Sequence, residues 1–259
     1  EHSNKPRGKV SVCMATFNGA PFIREQVNSI LSQLSSKDEI VVSDDGSTDY
    51  TLAILESYHD SRIKILNHKE RKNNPWKVWG GDKKCYLVSK NFNNALLHCT
   101  GDYIFLSDQD DVWLPGRVDK MVEVMEKNPD SCVVCNSVLI DMLGKVISGP
   151  LRRNGCSLSL FRQLKCPMFS GCTMAFDALF RKRVVPMPAY IPSHDAFIGL
   201  SALVVKRLFL VDETLHLYRS RDGANTSSSI HSSAVFKIAY RAYLMYAIYA
   251  RLLKRRFLT

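Results

Sequence analysis

Over its first hundred residues the chain repeats one pattern: a short apolar run, a break rich in Asp, Asn, Ser and Gly, then apolar positions at helical spacing. Residues 9–15 read as a strand entering the turn Thr16-Phe17-Asn18-Gly19, and Phe22, Ile23, Val27, Ile30, Leu31 and Leu34 mark one face of the helix that follows. A second strand, 39–43, ends in Asp44-Asp45-Gly46-Ser47-Thr48-Asp49, and Thr48 or Asp49 can cap the next helix over 50–58. A third strand, 63–66, precedes a polar loop and a helix from about 87 to 98. This alternation predicts an α/β fold: a Rossmann-like, mainly parallel sheet flanked by helices, with a ligand cleft where the polar strand ends gather.

The fourth strand carries the most chemistry. Its apolar run, Tyr103 to Leu106, breaks into Asp108, Asp110 and Asp111. Carboxylates this close must be paired, hydrated or bound to a cation. At the C-terminal end of a parallel strand the fitting cation is Mg2+ or Mn2+, hard ions that also hold substrate phosphates. The alternative is an acidic turn opening a helix at Leu114-Pro115.

The second half is more varied. Residues 130–147 read as two strands about a turn at Leu143-Gly144, and residues 170–176 as another strand. Ser193-His194-Asp195 precedes a helical run over 196–205, and either Ser193 or Asp195 can cap it. Between 234 and 258, Lys237, Arg241, Arg251 and Arg255 fall in one sector of an otherwise apolar helix. Such a helix suits an anionic membrane surface, or packs on the domain with its basic stripe in water.

Composition narrows the classes. At 259 residues, 46% hydrophobic and 23% charged, the chain fits one large soluble domain or two fused lobes. No apolar run reaches the ~18 residues of a membrane span, and residues 1–8 are a polar lead-in without a signal peptide's apolar centre. Eight cysteines are scattered; Cys132-Val133-Val134-Cys135 has half a zinc site's spacing, but no second pair follows. Buried free thiols in a reducing cytoplasm account for them better. The net charge of +10 is concentrated in 62–90 and in a tail with no Asp or Glu after Asp222. With no zinc-finger, helix-turn-helix or ribonucleoprotein motif, phosphate-bearing ligands and a membrane surface explain it better than nucleic acid.

The ordered set Thr16-Phe17-Asn18-Gly19, Asp44-Asp45-Gly46-Ser47, Lys90-Asn91-Phe92, Ser107-Asp108-Gln109-Asp110-Asp111, Ser170-Gly171-Cys172, His194-Asp195 and Tyr218-Arg219 resembles the family 2 inverting glycosyltransferases of GT-A fold. It is most similar to their bacterial rhamnosyltransferase-like branch, which builds O-antigen, capsular and related glycans. The resemblance implies one domain over 9–222, with a nucleotide-sugar half (9–111) and an acceptor half (112–222), and the residue pattern adds a basic amphipathic helical segment over 223–259. It implies that Thr16, Phe17, Asn18, Asp44 or Asp45, and Lys90 approach a UDP- or dTDP-linked donor. Asp110 would ligate Mn2+ or Mg2+, with Asp108 on the ribose or the metal and Asp111 either outer-shell or capping. Gly171 would allow close approach of the sugar, and Asp195 would be the general base for a glycan or lipid-linked acceptor. His194 would bind or orient.

In one place the chain departs from the branch. A Tyr-Arg-x-His-Gly-x-Asn pattern reads here as Tyr218-Arg219-Ser220-Arg221-Asp222-Gly223-Ala224-Asn225. Arg221 replaces a histidine; it cannot ligate a metal but, with Arg219, can clamp a diphosphate. Two rivals compete: a nucleotidyltransferase, which would show a basic Gly-rich loop after the first strand, and a non-catalytic glycan- or membrane-binding module. The loop around Trp76 and Trp79 reads as a lid, an acceptor platform or a plain surface excursion.

Overall fold

Four apolar runs become four parallel strands because helices cover both faces of the sheet they form. The structure, a computed structural model, describes residues 7–68, 75, 77, 83–151, 158–165, 169–220 and 234–256. Strands β1 (Val10–Thr16), β2 (Glu39–Asp44), β3 (Ile63–Asn67) and β4 (Tyr103–Ser107) lie in the order β3-β2-β1-β4. Along β1, Val10, Val12 and Met14 enter one core while Cys13 enters the other, the period-2 alternation of a strand buried on both sides. Helices α1 (Ile23–Leu31) and α2 (Thr51–Glu56) follow β1 and β2, and α3 (Lys83–His98) precedes β4.

The sheet continues past β4 with mixed polarity. A two-residue strand, β5 (Val112–Trp113), leads to α4 (Arg117–Lys127), then β6 (Cys132–Ile140), β7 (Val146–Pro150) and α5 (Leu160–Lys165). After β8 (Met174–Asp177) come α6 (Ala178–Val184), α7 (His194–Val204), β9 (Leu208–Arg219) and α8 (Ala234–Arg256). Strand β8 runs antiparallel to β4 and β6, while β9 is parallel to β6. The hairpin expected at Leu143-Gly144 forms, with Gly144 at φ +84°. The strand expected over 170–176 does not fully form, because Gly171–Thr173 closes into a single 3₁₀ turn before β8.

Cys132 and Cys135 face opposite cores and cannot converge on one metal. Together with Cys13, Cys85, Cys99 and Cys172 they are free thiols, while Cys156 and Cys166 lie outside the described residues.

Helix α8 packs on the domain and turns two of the four residues of the expected basic stripe, Arg241 and Arg251, toward the protein, while Lys237 is exposed. It buries Leu244, Ala247 and Ile248 in the core shared with α3, α6 and α7. Arg241 donates from Nε to Leu164 O (2.8 Å) and from Nη2 to Lys165 O (3.0 Å); Arg251 donates from Nε to Arg183 O (3.2 Å) and also to Val185 O. Carbonyls at helix ends lack intrahelical partners and carry partial negative charge, so these two guanidinium groups face the protein and close α5 and α6. Val235, Ile238, Tyr246 and Tyr249 point outward instead. Among the described residues no helix is long and apolar enough to cross a membrane.

Candidate active site

The C-terminal ends of β1, β2 and β4 meet at one edge of the sheet, with Thr16 in register with Asp44 and Met14 with Ser107. The turns that follow β1 and β2 are tied to each other. Asn18, at φ +48°, donates its backbone N–H to Ser47 Oγ (2.9 Å) and accepts from Thr48 N (2.8 Å). Asp49 and Thr51 hold the turn ahead of α1 by accepting from Ala20 N (3.0 Å) and Gly19 N (2.8 Å). Phe17 stands 53% exposed above this platform, so its ring offers a face to solvent.

Asp44 is 1% exposed and accepts from Thr16 Oγ1 (2.9 Å), Gly46 N (2.9 Å), Ser47 N (2.7 Å) and Ser47 Oγ (2.5 Å). Four donors gather on its two oxygens, so Asp44 builds the turn. Asp45 is half-buried beside it, its backbone N–H bonded to Thr16 O (3.0 Å). From α3, Asn91 Nδ2 reaches Thr16 O (3.2 Å) and Phe92 stacks on His194, while Lys90 is half-buried.

The loop after β4 docks on the first turn through its middle residue. Gln109 accepts from Phe17 N (2.8 Å) and donates to Phe17 O (2.9 Å). A Cβ on Gly19 would lie 2.3 Å from Gln109 Oε1, so this clasp requires glycine there. Asp108 and Asp110 flank it. Burial, then Asp111, Asp110 and Asp195, push the Asp108 carboxyl well above its ordinary pKa, with a Cys172 hydrogen bond opposing. Neighbouring carboxylates that raise one another in this way suit a hard divalent cation, which would favour their ionised forms. The same crowding brings Asp195 from α7 to within electrostatic reach of a loop 87 residues earlier in the chain.

Asp195 lies in the first turn of α7, where Ser193 is the N-cap. One oxygen, Oδ1, takes Ala196 N (2.7 Å) and Ser193 Oγ; among the described residues Oδ2 accepts no hydrogen bond. His194 is buried against Phe92 (ring centroids 4.1 Å), its backbone N–H bonded to Ser89 Oγ (2.9 Å). Burial draws its pKa down, against the pull of Asp195. A Cβ on Gly171 would lie 2.7 Å from His194 Nε2 and 3.6 Å from Asp195 Cβ, so glycine at this position lets the turn approach this pair closely.

Arg219 braces the loop after β4 from the far side. It is 2% exposed, and Nε donates to Asp110 O (2.8 Å), Nη1 to Asp141 O and Met142 O (3.1 and 3.2 Å), and Nη2 to Glu25 (2.6 Å). Its own N–H bonds Asp111 Oδ1 (2.9 Å). Arg221 lies outside the described residues, as do Trp76 and Trp79. Tyr218 stays a phenol, its pKa raised by burial and then by Cys172, Asp108, Asp111 and Asp110.

Sequence reasoning missed Arg117 and His216. Arg117 Nη1 meets His216 Nδ1 (2.6 Å) and its Nη2 donates to Cys172 O (2.5 Å), while His216 Nε2 meets Asp111 Oδ2 (3.0 Å). Burial and then Arg117 hold the His216 pKa down against Asp111. Donor atoms of Asp111, Cys172 and His216 lie within 4.8 Å of one another, a spacing that could hold a metal. Arg117 has only donors, so His216 Nδ1 must accept and Nε2 must carry the proton toward Asp111, leaving no imidazole lone pair for an ion there. Asp111 does not cap α4 either, since its N-cap position is Gly116 at φ +81°. The signal available was Arg117 itself, which shares the inward period of α4 with Met121 and Met125.

Residues 11–75 and 86–184 match the family described as Glycosyl transferase family 2. The chain is 34% identical over 232 residues to the dTDP-rhamnosyl transferase RfbG of Shigella flexneri, covering 86% of this chain and 77% of RfbG. It is 26% identical over 258 residues to the GalNAc(5)-diNAcBac-PP-undecaprenol beta-1,3-glucosyltransferase of Campylobacter jejuni, covering 95% of this chain and 74% of that protein. With the putative glycosyltransferase EpsE of Bacillus subtilis the identity is 35% over 135 residues, or 51% of this chain and 44% of EpsE. Among solved structures, TarS 1–349 of S. aureus in complex with UDP-GlcNAc superposes with a TM-score of 0.66 at 22% identity, covering 95% of this chain and 66% of that one. The mannosyltransferase PcManGT of Pyrobaculum calidifontis, in complex with GDP-Man and Mn2+, gives 0.58 at 17%, covering 98% and 76%. These structures share the GT-A fold with the chain.

Proposed function

Because the chain belongs to glycosyl transferase family 2, we propose that it moves a sugar from a UDP- or dTDP-linked donor to a hydroxyl of a glycan or lipid-linked acceptor, with inversion, in bacterial surface polysaccharide synthesis. One observation carries the reading: Asp195 enters from the acceptor half into the same electrostatic neighbourhood as Asp108 and Asp110. On this reading Phe17 stacks on the base, Asn18 and Asp45 face the nucleoside, and Thr16 fixes the turn beneath them. Lys90 approaches the diphosphate. Asp110 and Asp108 would hold Mn2+ or Mg2+, which when bound neutralises charge growing on the leaving diphosphate.

Asp195 takes the acceptor's proton as that oxygen forms its bond to C1 and the bond from C1 to the phosphate oxygen breaks, releasing the nucleoside diphosphate. Ser193 Oγ and Ala196 N hold Oδ1 of Asp195, and neutral His194, next to it in the chain, packs on Phe92. The donor of RfbG makes dTDP-rhamnose the first candidate, with UDP-hexoses next. Nucleotide sugars and buried free thiols both fit a cytoplasmic site of action.

The test is a panel of dTDP- and UDP-sugars with a lipid-linked acceptor, reading the product's anomeric configuration by NMR. Inversion is expected, and Asp195→Asn should lower transfer by about 10²–10⁴-fold with nucleotide affinity nearly unchanged. A retained configuration, or near-normal turnover in that variant, would defeat the single displacement.

A further inference from the structure

Behind the carboxylates runs a buried chain of side chains that the proposed chemistry does not use. It starts at Cys172 O in the 3₁₀ turn, passes through Arg117 and His216, and ends on Asp111. Arg117 is fully buried, with its guanidinium carbon 4.2 Å from the centroid of the Trp113 ring, and His216 is 0% exposed. Both oxygens of Asp111 are engaged, one by His216 and the other by the backbone of Arg219. Asp111 is therefore clamped one residue from Asp110 and three from Asp108. At its other end the chain holds the turn whose Gly171 abuts His194 and Asp195. One rigid path thus joins the loop proposed to hold the metal to the shelf beneath the proposed base.

We propose that Arg117 and His216 are positioning residues for transfer, a strut that fixes the Asp108–Asp111 loop against the Gly171 turn and so sets the separation between the metal site and Asp195. Neither touches the reacting atoms. The fork of Arg117 suits the task, since its planar guanidinium bonds two acceptors on different elements at once. A lysine would keep the charge but could not span both. The inference rests on the proposed role of Asp108 and Asp110 as metal holders.

Binding of Mn2+ in the presence of UDP or dTDP, followed by loss of the free-ion electron paramagnetic resonance signal, tests it without an activity assay. Measurements are made below the unfolding temperature of each variant, where damage that is only structural lowers stability and leaves affinity unmoved. A Gln amide can replace the Nε2–H that His216 offers Asp111, so His216→Gln should stay within about threefold of wild type. His216→Leu should weaken Mn2+ binding by about 10–100-fold, the usual cost of losing an outer-shell partner. Arg117→Lys should fall the same way, and it keeps the test usable if the leucine variant does not fold. Folded His216→Leu or Arg117→Lys with affinity within threefold of wild type would overturn the strut. Wild type that takes up no Mn2+ with either nucleotide would instead overturn the metal site on which the strut depends.

Discussion

Two turns of this protein are rich in carboxylates, and they solve opposite problems. After β2, Asp44 and Asp49 are surrounded by donors: backbone N–H groups of Ala20, Gly46 and Ser47, and the hydroxyls of Thr16, Ser47 and Thr51. After β4, Asp108 is surrounded by other acids, and its carboxyl is driven up by burial and by three neighbouring aspartates. The first arrangement is stable as it stands. The second is costly without a cation and becomes favourable with one. Carboxylate count alone does not separate structure from chemistry; what surrounds each oxygen does.

Substitutions should sharpen this contrast. Asp108→Asn removes an acid from a like-charged cluster, so transfer should fall by at least about 10²-fold while thermal stability equals or exceeds wild type. Loss of stability on that change would mean that the β4 loop is a structural turn like its neighbour. Asp44→Ala should do the reverse to the fold. It leaves buried donors unpaired, and urea unfolding should show a loss of about 2–4 kcal/mol. A near-neutral result would place Asp44 among the ligand-facing groups after all.

A smaller effect is expected at the opposite end of β2. Glu39 accepts from Ser11 Oγ (2.6 Å), Lys64 Nζ (2.6 Å) and Thr100 N (2.8 Å). Burial opposes its ionisation, but these bonds outweigh it and hold the carboxyl far below the usual range. A depressed acid stabilises the fold fully above its unfolded pKa, about 4.3, and loses that contribution as pH falls toward the folded value. Glu39→Gln should therefore cost about 1–3 kcal/mol at pH 7. Its gap from wild type should narrow below about pH 4, as read by denaturant unfolding across pH.

The parallel half was legible because β1, β2 and β4 are buried on both faces and end in polar residues, so apolar runs mark them directly. The second half of the chain was less so. Residues 171–173 are as buried as those of β8, and periodicity cannot tell a tight turn from a strand when every position faces inward. Helix α6 is seven residues long and starts from Asp177 at the end of a strand, too short to show a helical face. For α8 the spacing placed the basic residues in one sector but could not say which way that sector faces, because Arg241 and Arg251 find partners at the ends of other helices. Asp108, Asp110 and Asp195 were named from sequence. Arg117 and His216 were not, since their contacts join residues 99 and 55 positions apart.

Heat unfolding of wild type and Asp110→Ala, with and without Mn2+ plus UDP or dTDP, tests the central claim most directly. A ligand at about a hundred times its dissociation constant stabilises by about 2.7 kcal/mol. Wild type should therefore unfold several degrees higher when metal and nucleotide are present together, and Asp110→Ala should show no such rise. An equal rise in both proteins would contradict the assignment of the β4 loop as the metal-binding edge of the site.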